Sequence, residues 1–310
     1  MNGGTQRRTP NRAAIVLAGG DGTRLRDLTR RIAGQYIPKQ FCPLIGSSTL
    51  LEQTFDRIAR VVAPEHTLTV VNRRHERFYA PLLGHLPGSR LLAQPENRGT
   101  AVAISYALFR MAQSAPEASV ALFPSDHYID DDAEFMRHVE YAFEVVEERP
   151  EHTVLLGIAP NRPEPGYGYI ECGSDFWTER TRIFQVRRFW EKPRVEIAAE
   201  LMAKGCLWNS FVMVARLSTL LGLIITAKPE LYSAFGLIRR ELGSGLEESK
   251  IRSLYAKLAP QDFSSEILAR HPANLAVLPV RGVAWSDLGE PQRVMETLLQ
   301  IGVQPRWAGA

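Results

Sequence analysis

Cysteine is scarce in this chain. Its 310 residues hold three, Cys42, Cys172 and Cys206, an odd number set far apart. No pair has metal-ligand spacing, so they read as reduced thiols of a cytoplasmic protein. The seven histidines are equally scattered, and no H-E-x-x-H cluster appears. Charge of one sign is also missing. Lys and Arg number 37 against 34 Asp and Glu, a net charge of +3, too mild to predict a nucleic-acid partner. No run approaches the roughly 20 apolar residues of a membrane span, so no membrane partner is expected. The polar residues 1–12 lack the apolar core of a secretory signal and are expected to form a disordered leader. There is no internal repeat, and no hexapeptide repeat of a β-helix follows residue 290. What remains is a globular composition, 45% hydrophobic and 23% charged, long enough for one large domain or two closely joined ones.

Apolar runs and turn signals give the order of elements. Residues 13–17, 67–71, 90–93, 119–123 and 153–158 read as strands. Between them, Leu50, Leu51, Thr54, Phe55, Ile58 and Val62 fall near one helical face, and residues 100–112 are apolar on most sides. Phe135, Val139, Phe143 and Val146 form a stripe over 133–149. This alternation predicts an α/β fold with a Rossmann-like, doubly wound sheet, mostly parallel in this half. Later strands are expected at 167–171, 182–190, 207–215 and 274–280, with a bulge or two-sided strand around Ile183, Val186 and Phe189. A helix over 194–204 should close at Gly205. Residues 218–270 read as several helices broken near Gly243-Ser244-Gly245, so a helical region lies toward the C-terminus, and the sheet as a whole is expected to be mixed.

The stretch Leu17-Ala18-Gly19-Gly20-Asp21-Gly22-Thr23-Arg24-Leu25, followed by Pro38-Lys39-Gln40-Phe41, carries the chemistry. Glycines after a buried strand let backbone approach a phosphate, and successive N–H groups make an anion nest. Arg24 and Lys39 add full positive charges. The Gly-Lys-Ser/Thr ending of a P-loop is absent, and Leu25 stands where a dinucleotide fold needs its third glycine. The pattern points to a nucleoside triphosphate and to phosphoryl or nucleotidyl transfer. A plain strand-to-helix turn is the alternative for the loop taken alone.

Six further stretches are informative. Gln94-Pro95-Glu96-Asn97-Arg98-Gly99-Thr100-Ala101 follows a strand and opens a helix, where open α/β sheets bind ligands. Gln94 can donate to and accept from a base edge, and Thr100 would make an N-cap. Ser125-Asp126-His127 ends a very apolar strand, and a carboxylate there suits Mg²⁺, which takes one or two carboxylates plus phosphates. Asp130, Asp131 and Asp132 read as cap and turn residues. Trp285-Ser286-Asp287-Leu288-Gly289 repeats the idea downstream. Asp287 alone reads as an N-cap, but paired with Asp126 it could hold a metal between phosphates. Glu191-Lys192-Pro193 offers a carboxylate for sugar hydroxyls and a point charge for a monophosphate, or a surface ion pair. Gly166-Tyr167-Gly168 permits close approach of a sugar or marks a bulge. Trp208-Asn209-Ser210 sets one amide in an apolar strand, with a sugar hydroxyl or a backbone group as its partner.

In order, L-A-G-G-x-G-T-R-L, P-K-Q-F, Q-P-x-N-R-G-T-A, P-S-D-H, G-Y-G-Y-I, E-K-P, W-N-S and W-S-D-L-G resemble the sugar-1-phosphate nucleotidyltransferases. The P-K-Q-F and N-R-G-T-A forms look most like the mannose-1-phosphate guanylyltransferases. The resemblance runs from about Ala13 to Gly289. It implies a nucleotidyltransferase fold, similar to that of GT-A glycosyltransferases, and a single catalytic domain over 13–290. Within it, 13–160 would be the nucleotide half and 161–290 the sugar-phosphate half, with the helical insertion 218–270. A C-terminal helix and tail would follow over 291–310.

The roles it implies are these. Leu17, Ala18, Gly19, Gly20, Gly22, Thr23, Gln94, Asn97, Arg98, Gly99, Thr100 and Ser125 bind the nucleotide. Arg24, Lys39, Asp126 and Lys192 serve catalysis. Gly168, Glu191 and Asn209 bind the sugar phosphate, and Asp126 and Asp287 ligate Mg²⁺. The substrates would be a nucleoside triphosphate, GTP by the closest resemblance, and a hexose 1-phosphate, mannose 1-phosphate by the same token. A homodimer is carried as an open expectation.

Three departures stand out. Asp27-Leu28-Thr29 occupies a place where the family has a proline. The segment from Arg26 to Pro38 is longer than usual, and Phe211 follows Trp208-Asn209-Ser210 where a glycine is common. Competing readings are glucose-1-phosphate uridylyl-, thymidylyl- or adenylyltransferases, an isoprenoid cytidylyltransferase, a metal-dependent glycosyltransferase and a silent nucleotide-sugar-binding regulatory subunit. The downstream motifs weigh against the cytidylyltransferase, the lack of a strand-end D-x-D against the glycosyltransferase, and intact Arg24, Lys39, Asp126 and Asp287 against the regulatory subunit.

Overall fold

A computed structural model describes residues 12–177, 181–304 and 307. The leader expected over 1–12 lies outside the described residues except for Arg12, which opens the first strand, and the expected tail beyond 304 lies outside them except for Trp307. The strands are β1 (Arg12–Ala18), β2 (Thr67–Asn72), β3 (Leu91–Gln94), β4 (Ser119–Pro124), β5 (Tyr128–Ile129), β6 (Thr153–Ile158), β7 (Tyr169–Trp177), β8 (Ile183–Trp190), β9 (Leu207–Arg216), β10 (Leu275–Val280) and β11 (Trp285–Ser286). The helices are α1 (Arg26–Ala33), α2 (Leu50–Ile58), α3 (Glu76–Leu83), α4 (Thr100–Met111), α5 (Asp132–Glu148), α6 (Val195–Ala203), α7 (Leu217–Ala227), α8 (Pro229–Leu237), α9 (Glu247–Tyr255), α10 (Phe263–Glu266) and α11 (Pro291–Gln300).

Nine strands form one sheet in the order β3-β2-β1-β4-β9-β6-β10-β8-β7. The block β3-β2-β1-β4 is parallel, with Ile15 facing Leu68 on one side and Leu122 on the other. Its strands are near-continuous apolar runs because helices cover both faces. Beyond β4 the sheet is mixed. β9 runs antiparallel to β4 and β6, β6 and β10 are parallel, and β8 and β7 finish the sheet antiparallel. The mostly parallel reading therefore holds for the first four strands and ends where β9 inserts. The irregular pattern around β8 has its cause in shifts of register against β7 between Glu171 and Trp177. β5 and β11 pair separately.

One face of the sheet is covered by α4, with α7, α8 and the residues around Tyr255 and Phe263 behind it. Helix α4 lies between sheet and helices, which explains its apolar circumference. The other face carries α2, α3, α5 and α6. A smaller cluster of Leu25, Leu44, Leu50, Leu288, Val294 and Leu298 ties the glycine loop to α11. The long segment after Arg24 folds as α1, closed by Gly34 in the left-handed region (φ 73°). The helix at 195–203 closes as expected, with Gly205 at φ 75° and its N–H donating to Met202 O at 3.0 Å. No single helix among the described residues is long and apolar enough to cross a membrane.

Candidate active site

Strands β1, β3 and β4 all end at one edge of the sheet, and their loops enclose a cavity of about 390 Å³. A second cavity of about 480 Å³ adjoins it and shares Asn97, Thr100, Asp126, His127, Lys192 and Asp287. This is the place where open parallel sheets bind ligands, because strand and helix termini aim unpaired backbone groups there.

The glycine loop lines both cavities. Gln40, almost fully buried, donates from Nε2 to Ala18 O (3.0 Å) and Gly20 O (2.8 Å), which fixes the loop from beneath. Gly22 is left-handed (φ 59°), and a Cβ there would lie 3.1 Å from Lys39 N. Tyr36 Oη donates to Asp21 O. The Asp21 carboxylate is 3.2 Å from His75 Nε2 and accepts from Asn97 Nδ2 at 3.3 Å, so the acid in this loop is tethered sideways. Arg24 is half-exposed, 3.5 Å from Glu290.

Pro38-Lys39-Gln40-Phe41 folds as a single turn that aims Lys39 inward. Lys39 is 8% exposed. Its Nζ lies 3.2 Å from Asp126 Oδ2 and donates to Asp287 O at 2.5 Å. One lysine thus joins the two acidic loops, after β4 and after β11. His127 sits behind them, its Nδ1 accepting from Trp285 Nε1 at 3.3 Å and its Nε2 3.7 Å from Asp126. Burial pushes the His127 pKa down to about 4 against the pull of Asp126, so the ring is neutral and carries its proton on Nε2.

Asp287 is held from behind. Its Oδ1 accepts from Gly289 N at 2.8 Å and lies 3.1 Å from Arg293 Nε. The Arg293 side chain is 3% exposed and reaches Glu164 at 3.0 Å and Glu290 at 3.7 Å, with its guanidinium 4.9 Å above the Tyr167 ring. Its N–H groups are not aligned along hydrogen bonds, so charge and packing hold it. Burial opposes its charge, but Asp287, Tyr167, Glu164 and Glu290 outweigh that and raise its pKa. Asp287 is not an N-cap, because Glu290 precedes α11. Asp131 does cap α5, accepting from Glu134 N at 2.8 Å.

On the β3 side, Gln94 reaches the cavity and its Oε1 accepts from Tyr255 Oη at 3.2 Å. Asn97 Oδ1 accepts from Gly99 N at 3.0 Å. Thr100 is the first residue of α4 rather than its cap, because Gly99 (φ 84°) takes that position against the backbone of Gln261. The Thr100 hydroxyl instead donates to Asp262 Oδ2 (3.0 Å) and accepts from Phe263 N (2.8 Å). Gln261 N donates to Arg98 O and Ala101 N to Gln261 O, each at 3.0 Å.

The opposite wall comes from β7, β8 and β9. A Cβ on Gly168 would sit 3.1 Å from Glu191 Oε2, so glycine leaves that carboxylate its room. Gly168 O accepts from Asn209 N at 2.8 Å, and Asn209 Oδ1 accepts from Phe211 N at 3.1 Å. Burial raises the Glu191 pKa, partly offset by Lys192, whose Nζ is 3.1 Å away. Three non-glycine residues among those described have positive φ: Lys192 (44°), Phe211 (64°) and Leu288 (46°). Two line the cavity and the third follows Asp287. Such strain persists where surrounding structure enforces it.

The structure gathers Leu17, Gly19, Gly20, Gly22, Thr23, Arg24, Lys39, Gln94, Asn97, Gly99, Thr100, Asp126, Gly168, Glu191, Lys192, Asn209 and Asp287 on these walls. Ala18 and Ser125 stand behind the wall, buried, and Arg98 turns its guanidinium to Glu96 at 2.8 Å. Asp262 and Ser264 reach the cavity from the helical region, and Tyr255 and Arg293 support it. The sequence around Asp262 signals only a helix cap, and nothing in the sequence marks Tyr255 or Arg293. No group of three or more metal-ligating side chains gathers among the described residues. Asp126 and Asp287 form a two-carboxylate set facing a cavity that also holds three cationic side chains.

Residues 13–302 match the family model described as nucleotidyl transferase. The chain belongs to that family. It is 32% identical over 297 residues to the xanthan biosynthesis protein XanB of Xanthomonas campestris pv. campestris (strain B100), covering 93% of this chain and 60% of that protein. It is 30% identical over 280 residues to the mannose-1-phosphate guanylyltransferase RfbM of Salmonella typhimurium, covering 89% and 56%. The chain therefore spans little more than half the length of these relatives. Among solved structures, a mannose-1-phosphate geranyltransferase from Thermus thermophilus superposes with a TM-score of 0.78 at 30% identity, over 95% of this chain and 80% of that one.

Proposed function

We propose that the protein transfers a nucleotidyl group from a nucleoside triphosphate to a hexose 1-phosphate, releasing pyrophosphate. GTP and mannose 1-phosphate are the substrates we assign, with GDP-mannose as product. The observation that carries this reading is the convergence of Lys39, Asp126 and Asp287 where the two cavities meet. The guanylyltransferase name borne by RfbM supports the substrate pair. The half over 13–160 takes the nucleotide and the half over 161–290 the sugar phosphate.

The chemistry follows from charge. A phosphate oxygen of the hexose 1-phosphate attacks the α-phosphorus in line as pyrophosphate leaves. The nucleophile is already anionic, so the chain need not supply a general base. Its tasks are alignment and neutralisation of charge. The glycine loop and Arg24 face the triphosphate. Lys39, fixed by two acidic loops, stands beside the reacting phosphorus. Glu191 accepts from sugar hydroxyls, and Lys192 meets the monophosphate. Asp126 and Asp287 fit Mg²⁺, which takes one or two carboxylates and completes its shell with phosphate oxygens and water. Bound there, Mg²⁺ would neutralise phosphate charge and orient both substrates.

The test is pyrophosphate release with Mg²⁺, crossing GTP, ATP, UTP, CTP and dTTP against mannose 1-phosphate and glucose 1-phosphate. Activity led by GTP with mannose 1-phosphate is expected. Another productive pair would keep the reaction and discard the substrates. Silence across the whole matrix, with nucleotide-sugar still bound, would replace the enzyme with a binding subunit.

A further inference from the structure

Tyr255, the last residue of α9, is fully buried, and its hydroxyl meets Gln94 Oε1 at 3.2 Å. No other hydrogen-bond partner for that hydroxyl is present among the described residues. The adjacent phenol, Tyr106, packs edge-on with ring centroids 6.4 Å apart, but its own hydroxyl is committed to Glu247 at 2.7 Å. A carboxamide can be turned either way about its last bond, and its neighbours decide which way it faces. With the oxygen toward Tyr255, the phenolic proton is bonded. With the NH₂ toward Tyr255, the amide donates to the phenol oxygen, and the buried phenolic proton is left without an acceptor. Leaving it so costs about 1–3 kcal/mol, and the arrangement is fixed accordingly. The NH₂ of Gln94 then points to the cavity beside Gly19, where a Cβ would collide with Nε2. It has no partner of its own among the described residues.

We infer that Tyr255 is a positioning residue that sets base selection by making Gln94 a pure donor. Gln94 therefore meets bases that bring an oxo oxygen to it, as a 6-oxopurine does, and disfavours those that bring an amino group, as a 6-aminopurine does. The inference rests on the reading of this cavity as a nucleoside triphosphate site. It also gives the helical region a task. The same segment that carries Tyr255 is bonded to the start of α4 through Gln261 and Asp262, which ties the support of the amide to the loop that follows Gln94.

The experiment is calorimetric titration of ITP and ATP, which differ at the 6-position, into the wild-type chain and the variants Tyr255→Phe and Gln94→Glu. The wild type is expected to favour ITP by about tenfold or more, the range set by one buried polar group left unpaired. Tyr255→Phe frees the amide to turn, and the preference should collapse to within about threefold. Gln94→Glu presents an acceptor alone, and the preference should reverse. A folded Tyr255→Phe chain that keeps the wild-type ratio overturns the inference, as does a Gln94→Glu chain that still favours ITP. Should Tyr255→Phe fail to fold, Tyr255→Met, which also removes the donor, takes its place with the same expected and overturning ratios. Pyrophosphate release run in parallel separates the two readings. A wild-type ITP preference without any transfer sinks the reaction alone. Transfer with a Tyr255-independent ratio sinks this inference alone. A chain that binds neither nucleotide sinks both.

Discussion

The two walls of the site are built by different means. The wall under the glycine loop hangs from parallel strands, and its turns use glycine wherever the backbone is left-handed, at Gly22 and Gly99. Buried amides and main-chain hydrogen bonds hold it, through Gln40 and Gln261. The opposite wall hangs from antiparallel strands with shifted register, and it places Lys192 and Phe211 in the left-handed region without glycine. On the proposed reading, the relaxed wall holds the triphosphate by its backbone and leaves base selection to one side chain, Gln94. The strained wall ties side-chain identity to one backbone shape, which suits the sugar phosphate.

The largest effect should come where the walls meet. Asp126→Ala and Lys39→Ala are each expected to lower kcat by about 10²-fold or more while melting as folded chains, the scale of losing one fixed electrostatic contact to a transition state. A rate within about threefold of wild type in either variant would remove that residue from the chemistry. Arg293→Met comes next. It leaves the Asp287 and Glu164 carboxylates without their buried partner, and losing one member of such a cluster costs about 3 kcal/mol. Thermal melting should reveal that loss, and kcat should fall more than the KM for nucleotide changes. A kcat equal to wild type would make Arg293 purely structural.

Phe211→Gly sharpens the contrast between the walls. The ratio of kcat/KM for mannose 1-phosphate over glucose 1-phosphate should move by up to about tenfold, the span of a modest pocket change, with nucleotide KM steady. Equal movement of both would mean the walls are not independent. The smallest effect concerns His75 beneath the loop. Burial lowers its pKa from the ordinary 6.5, and the nearby Asp21 only partly restores it. The unfolded chain therefore takes up the proton first. Stability is full above pH 6.5 and is lost as pH falls below it. His75→Gln should flatten chemical-denaturation midpoints between about pH 7 and 5, and an unchanged slope would discount this histidine.

Legibility in the sequence follows the same division. Strands of the parallel block announce themselves as apolar runs, and so does β6 beyond it, whose bounds match to the residue, because burial on both faces leaves little choice of side chain. Asp126 and Asp287 are legible as carboxylates at strand ends and Lys39 as the cation of Pro38-Lys39-Gln40-Phe41, though their meeting is not, since it depends on where β11 returns. Thr100 and Asp287 look like caps because local preference cannot see Asp262 or Arg293 arriving from elsewhere. Helix α1 escapes a sequence reading because its apolar side is only Leu28 and Ile32, set among three arginines and an aspartate. Tyr255 and Arg293 carry no local pattern, and only packing reveals what they support.

The bond from Lys39 to Asp287 spans 248 positions of chain. Loops of that length close late, after local pairings have formed. During synthesis, the glycine loop, Lys39 and Asp126 emerge well before Asp287 does. A chain that has not yet reached Asp287 holds Lys39 by Asp126 alone. The two acidic loops are joined in one step, once residue 287 has been made.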